Sequence, residues 1–412
     1  MELLMALFSK LVLPNGNEIK NRIGKGAMEE NMADSDQAPS DQLYRLYDSW
    51  AKGGTGLIIS GNVMVDGRAM TGPGGVVLEN DRNLEKFRRW AEIGTQNGAQ
   101  FWLQINHPGR QMPGSLGQEA IAPSAVGLDL GAQSGRFPPP RAMTPEDIAD
   151  IKERFTNTAL LAEKAGFSGV QVHAAHGYLL SQFLSPLVNK REDEWGGSLE
   201  NRARLLLDIV KSIRAAVRPD FAVAVKINSA DFQRGGFSED DARQVVEWLN
   251  PLGVDLIELS GGNYEAPAMM GTARDERTLA REAYFLEFAT EIRKVANMPI
   301  MVTGGIRRIE VANAVIESGV DMAGIATALA ICPDLPNRWQ AGETPAPALK
   351  PIQMKDKALA SAAQMSSVRF QMKKLSKGKR PNPNVWPLYA LVTSELEAKS
   401  RAKKYRNWIA SQ

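Results

Sequence analysis

Short apolar runs recur along the first 330 or so residues, each trailed by a longer amphipathic stretch. The runs cover residues 56–60 (GLIIS), 100–104 (QFWLQ), 169–173 (GVQVH), 222–226 (AVAVK), 255–259 (DLIEL), 299–303 (PIMVT) and 321–325 (DMAGI). Residues 21–27 (NRIGKGA) make a weaker first member. Runs this short, bounded by polar and turn residues, predict buried strands. The stretches between them carry helix start signals. Ser40 precedes DQLYRLYDSWAK, and Ser198 precedes LENRARLLLDIV. Thr144-Pro145-Glu146-Asp147 combines a capping residue, a first-turn proline and acidic residues that suit the helix dipole, and Ser238-Glu239-Asp240-Asp241 repeats most of that pattern. Eight strands alternating with helices predict parallel βαβ units closed into a (β/α)8 TIM barrel. A doubly wound sheet would want G-x-G-x-x-G after an early strand, and the sequence has none.

Three segments break the alternation. Residues 8–20 hold Pro14-Asn15-Gly16 between two apolar runs, which predicts an N-terminal hairpin plugging the barrel's lower end. Residues 105–143 form a long Pro- and Gly-rich loop after strand three, on the face where barrels keep their active sites. Beyond residue 345 two helical stretches are expected, at about 355–375 and 388–409, separated by KGKRPNPNVWP. The domains predicted are a barrel over 1–345 and a helical extension over 346–412.

Composition narrows the class. Hydrophobic residues make up 43% and charged residues 23%, as in globular chains, so fibrous and disordered readings fall away. The single cysteine, Cys332, excludes a disulfide framework and any zinc site of several thiolates, and fits a reducing cytoplasm. No apolar run reaches the ~18–20 residues of a membrane span, so no membrane is expected. MELLMALF lacks the basic region and cleavage site of a signal peptide. The net charge of +2 hides an asymmetry: residues 350–412 hold 14 basic and 3 acidic residues, against 35 and 44 in residues 1–349. The basic extension is expected to dock on its own body or on a second subunit, through Trp386, Tyr405 and Trp408 in the latter case. It has no nucleic-acid-binding motif, and nucleic acid is not an expected partner.

Polar residues at the C-terminal ends of barrel strands are the functional candidates. Gln104, His173, Lys226 and Ser260 end apolar strands, as, less clearly, does the Met28-Glu29-Glu30 run. The Thr303-Gly304-Gly305 turn follows strand seven, where freed backbone N–H groups can take a phosphate. Only three histidines exist. His173 and His176 would face opposite sides of a continuous strand. They share a pocket only if the chain turns after His173, which Gly177 permits. There they could donate to a substrate oxygen or bind metal. His107, in the long loop, reads equally well as structural.

The block VQVHAAHGYLLSQFLSPLVNKREDEWGGSLENRARLLLDIV, with LPNGNEIKNRI, FWLQINHPGRQ, IAPSAV, MTPEDI, DLIELSGG, TGGIRR and CPDLPNRW around it, resembles the old yellow enzyme family of FMN-dependent ene-reductases. The resemblance runs from about Leu11 to Trp339. It implies an FMN across the barrel mouth and a hydride passed from NADPH or NADH, by way of flavin N5, to an electrophilic alkene such as an α,β-unsaturated carbonyl. By the same resemblance, Gln104 meets the flavin pyrimidine and Lys226 supplies positive charge beside it. Gly61 and the backbone of Ala27 and Met28 line the ring, and Gly304 and Gly305 bind the phosphate. His173 and His176 hold the substrate oxygen, and Tyr178 donates the proton.

Two positions depart from the family's pattern. Glu29 stands where the family has Thr or Cys near the flavin C4 oxygen, and a bare carboxylate there would repel reduced flavin unless it is protonated, paired, or turned toward Lys25 or solvent. Ala326-Thr327 stands where the family has Gly-Arg, so Thr327 replaces a phosphate-binding arginine, a role that Arg307 or Arg308 could take over. The alternatives are a barrel without FMN that binds metal through Glu29, His173 and His176, or a non-catalytic binding protein acting through its tail.

Overall fold

Strand periodicity sorts the barrel residues into an outer and an inner set. The computed structural model describes residues 6–266, 285–350, 352, 354 and 357–412. Its eight barrel strands are β1 (Ile23–Lys25), β2 (Leu57–Met64), β3 (Gln100–Asn106), β4 (Gly169–Ala174), β5 (Ala222–Asn228), β6 (Leu256–Ser260), β7 (Ile300–Thr303) and β8 (Met322–Ile325). All neighbouring pairs are parallel, and β8 pairs with β1, which closes the ring as a TIM barrel. Helices α1 (Asp41–Lys52), α2 (Leu84–Gly94), α3 (Pro145–Lys164), α4 (Leu199–Ala216), α5 (Glu239–Leu249), α6 (Leu286–Arg293), α7 (Ile309–Glu317) and α8 (Leu335–Gln340) follow the strands in turn. Thr144 and Ser238 form full capping boxes with Asp147 and Asp241, as their sequences predict.

Outward residues such as Ile58, Phe101, Leu103, Val170, Val225 and Ile257 pack against the helices in the main core. Inward residues change character along each strand. At the N-terminal end Leu57, Ile59, Trp102, Ala222, Ala224, Leu256, Met301 and Met322 form a closed apolar cluster. The hairpin seals it from below. Leu11–Val12 pairs antiparallel with Glu18–Ile19, and Leu11, Leu13 and Ile19 join the cluster. The turn is tied to the barrel floor by Asn15, whose backbone N–H donates to Asp255 Oδ1 at 3.0 Å. Farther up the same inward faces, Gln104, Gln171, Lys226 and Glu258 replace the apolar residues, and all four are buried. The barrel is therefore dry at one end and polar at the other.

The extension forms α9 (Lys357–Leu375) and α10 (Pro387–Ile409) and lies on this chain's own barrel, at its mouth. Arg45 Nε donates to Ser376 O at 2.7 Å, and Arg401 to Ala33 O at 2.9 Å. The fully buried Tyr405 donates to Gly67 O at 2.9 Å, and Trp408 packs over Gly67. Of the three aromatic residues suggested for a neighbouring subunit, Tyr405 and Trp408 are thus committed to the barrel, and Trp386 stays exposed. Among the described residues no helix is long and apolar enough to cross a membrane.

Candidate active site

The polar end of the barrel is a single hydrogen-bonded network. Gln104 Nε2 donates to Gln171 Oε1 at 2.8 Å, and Gln171 Nε2 donates to Glu258 Oε2 at 2.7 Å. Lys226 Nζ lies 2.8 Å from Glu258 Oε1, which also accepts from Thr303 Oγ1 at 2.7 Å. Strand register places these groups side by side: Gln104 opposite Gln171, and Lys226 between His173 and Glu258. The positive charge expected of Lys226 is therefore balanced by Glu258, whose own burial is tolerable only because it is paired and accepts further hydrogen bonds.

The histidine pair sits where β4 ends. His176 takes φ +61° and Gly177 φ +75°, so the chain leaves the strand in a tight left-handed turn. This resolves the facing problem that strand alternation poses. The two rings meet edge-on with centroids 5.0 Å apart, and the Tyr178 ring lies 5.0 Å from that of His173. The turn is pinned by the His176 backbone N–H, which donates to Asn228 Oδ1 at 3.1 Å, and by Gln111 Nε2, which donates to the His176 carbonyl at 3.0 Å. The Ala175 N–H donates to His173 Nδ1 at 3.2 Å, so in the neutral ring the proton is on Nε2. His176 Nε2 is 2.8 Å from Ser260 Oγ. Burial, with Lys226 nearby, holds both imidazoles well below their ordinary pKa. Both rings are neutral N–H carriers at physiological pH.

Tyr178 Oη is 3.1 Å from Tyr264 Oη. Burial and the neighbouring Tyr264 and Glu29 push the Tyr178 hydroxyl well above its ordinary pKa, and burial with Glu29 pushes that of Tyr264 up to about 12. Each hydroxyl keeps its proton.

His107 is structural in its contacts: it is buried, and its Nδ1 accepts from the Gly109 N–H at 3.1 Å. Burial lowers its pKa to about 4. Above pH 6.5 the folded and unfolded chains both hold it neutral. Between pH 6.5 and 4 only the unfolded chain takes up the proton, so stability falls as pH falls, by about 3 kcal/mol from this group, and levels off below pH 4. Urea unfolding at pH 7 and pH 4.5 should show a shallower loss in His107→Gln than in the wild type. Equal losses would mean that His107 does not titrate differently in the fold.

The two glutamates after β1 part company. Glu30 turns under β2, where it accepts from Tyr47 Oη and from the Gly61 N–H at 3.2 Å. A Cβ at Gly61 would collide with Glu30 and with the Met28 carbonyl, which explains the glycine. Glu29 does not reach Lys25, which is buried beneath Tyr47 and Trp50 and donates to Ile59 O at 2.7 Å. Its Oε2 instead pairs with the Arg369 guanidinium, from α9, and its Oε1 is buried without a partner. Ala27 is half-buried and Met28 buried on the same segment. Across the mouth, Gly304 is buried, Gly305 is exposed at φ +75°, and half-buried Thr327 begins a short helix, Thr327–Ile331. Between the mouth and the extension lies a cavity of about 1680 Å³, reaching Phe137, Tyr264, Arg369 and Phe370 but not the histidines or Lys226.

Sequence reading missed Gln171, Glu258, Tyr264 and Arg369. The first two were visible as polar residues two positions before His173 and Ser260, on the same strand face. Tyr264 and Arg369 carry no local signal. Among the described residues no group of three or more His, Cys, Asp or Glu side chains could hold a metal, and Glu29 is engaged by Arg369, so the metal alternative lacks its ligand set.

The model of the NADH:flavin oxidoreductase / NADH oxidase family matches residues 6–344. The chain belongs to this family, that of the old yellow enzymes. The chain is 36% identical over 348 residues to the NADH-dependent flavin oxidoreductase iliE of Hypocrea jecorina, covering 79% of this chain and 86% of that protein. It is 35% identical over 332 residues to the NADH oxidase of Thermoanaerobacter brockii, which matches 79% of this chain but of whose length this chain spans only 49%. The old yellow enzyme homologue of Zymomonas mobilis superposes with a TM-score of 0.71 at 25% identity, over 84% of this chain and 95% of that one. A 2-naphthoyl-CoA reductase superposes with a TM-score of 0.75 at 27% identity, over 82% of this chain and 53% of that one. The protein is thus a flavin oxidoreductase whose family works with FMN and takes its electrons from NADH or NADPH. The donor set at the mouth fits that cofactor. An amide at Gln104, an ammonium at Lys226 and a left-handed glycine at Gly305 suit a polar ring edge and a phosphate, and the buried Asn62 Oδ1 has no hydrogen-bond partner.

Proposed function

We propose that this enzyme reduces small electrophilic alkenes, such as α,β-unsaturated carbonyls, with NADH or NADPH as reductant. FMN, when bound, supplies the hydride chemistry between the nicotinamide and the alkene carbon. Gln104 and Lys226 would hold its ring, with Ala27, Met28 and Gly61 beside them. Gly304 and Gly305 would take its phosphate, with Thr327 at the position the family gives to arginine.

The single observation that carries this reading is the cluster on the turn after β4: two neutral histidines with a protonated tyrosine against one of them. Neutral N–H donors can polarise a carbonyl oxygen without protonating it in the ground state, and they strengthen as negative charge develops there. Tyr178 would deliver the proton that completes the reduction, and Tyr264 shares a hydrogen bond with its hydroxyl. The same donors would hold a phenolate. His173→Ala should therefore weaken binding of 4-chlorophenol by roughly tenfold or more, read from the flavin absorbance, and unchanged affinity would remove His173 from the pocket. The reading as a whole is tested by the visible spectrum of the purified protein with added FMN, then with NADH and an enone under anaerobic conditions. Bleaching by NADH and recovery of colour on adding the enone support it, and no flavin uptake would sink it. We also assign the protein to the cytoplasm, since its one cysteine is a buried free thiol; fractionation of the source cell checks this.

A further inference from the structure

The family match ends at residue 344, yet the extension beyond it reaches into the site. From α9, Arg369 sends its guanidinium to Glu29 Oε2 and its Nε to the Glu29 carbonyl at 3.4 Å. Glu29 stands at the mouth end of β1, and its charge acts on both Tyr178 and Tyr264. Its carboxylate is mostly buried and its second oxygen has no partner, so little solvent screens it. Left alone, that carboxylate would oppose any anionic oxygen gathered at the histidines and any negative charge on a flavin ring held at Gln104 and Lys226. Arg369 also lines the cavity between the extension and the barrel.

We propose that the C-terminal extension is part of the active site and that Arg369 is its positioning residue, cancelling and orienting the Glu29 carboxylate so that the mouth can hold an anionic oxygen. This rests on the function proposed above and adds to it a source of specificity outside the barrel. The extension does not depend on Arg369 for its place. Tyr405, Arg401 and the Arg45–Ser376 contact anchor it independently, so removing Arg369 leaves it docked.

The test compares full-length, FMN-bound wild type with Arg369→Ala, Glu29→Gln, the double variant and Arg369→Lys. The readouts are the affinity for 4-chlorophenol and the midpoint potential of the flavin. Arg369→Ala should weaken the phenol by roughly tenfold, the scale of one unit charge several ångströms away at the effective dielectric of a protein site, and lower the potential. Glu29→Gln leaves an unbalanced guanidinium and should move both quantities the other way. The double variant should return to within about threefold of wild type, and Arg369→Lys should keep most of the wild-type affinity. A merely structural role for Arg369 predicts equal loss in Arg369→Ala and the double variant. That result, or shifts of the same sign in the two single variants, or no shift in either, overturns the proposal. A wild type that takes up no FMN overturns the proposed function and this inference with it, and is seen before any variant is compared.

Discussion

Tyr178→Phe should slow the reduction of an enone by roughly 10²–10⁴-fold while leaving the rate at which NADH bleaches the flavin nearly unchanged. The asymmetry follows from where the hydroxyl is needed. Hydride delivery from the nicotinamide requires no proton from the protein, whereas saturating a carbon–carbon double bond leaves a carbanion-like centre that must be protonated. Tyr178 is the acid we propose: its ring packs on His173, and its hydroxyl is held protonated by burial and by its neighbours Tyr264 and Glu29. Phenylalanine keeps the ring packing, so the histidine turn should survive. Stopped-flow measurement of the two half-reactions separates the cases. Equal loss in both would mean that Tyr178 shapes the site and does not serve as the acid.

Glu258→Leu should destabilise the protein by roughly 3–5 kcal/mol. Glu258 is fully buried and holds three donors at once: Lys226, Gln171 and Thr303. Removing it strands a buried ammonium at the polar end of the barrel without its counter-charge and leaves two more polar groups short of a partner. Replacing both ends of the ion pair, as Glu258→Leu with Lys226→Met, should recover much of the loss, because no buried charge then remains unpaired. Urea unfolding monitored by tryptophan fluorescence gives the comparison. Wild-type stability in Glu258→Leu would show that the ammonium finds solvent or another partner. A double variant no better than the single would show that packing, not charge, dominates. Since Gln104 joins the same network through Gln171, Glu258→Leu should also loosen the groups proposed to hold the flavin ring.

Much of this was legible in the chain. The eight apolar runs and their caps led to the barrel because strand and helix periodicity are local properties, set within a few residues. The N-terminal hairpin and the two helices of the extension were readable for the same reason, through a Pro-Asn-Gly turn and through two stretches free of Gly and Pro on either side of KGKRPNPNVWP. The strand-end candidates Gln104, His173 and Lys226 were found by rule, since barrel strands expose their C-terminal ends at the mouth. Period-two reading carried one step further along QVQVH and LIELS would have added Gln171 and Glu258.

What the sequence determined, then, is every feature whose cause lies within one element: strand, helix, cap, turn, and the face on which a residue sits. Tertiary structure decided who neutralises whom. Glu29 pairs with a residue 340 positions away, and Tyr178 shares its hydrogen bond with a tyrosine 86 positions away on another loop. It also decided that the basic extension covers this chain's own barrel mouth, and that Lys226 is a balanced charge and not a free one. Hydrophobic burial is non-directional and shows as composition and period, whereas an ion pair or a shared proton depends on distances of a few ångströms that only the closed barrel and its docked extension set.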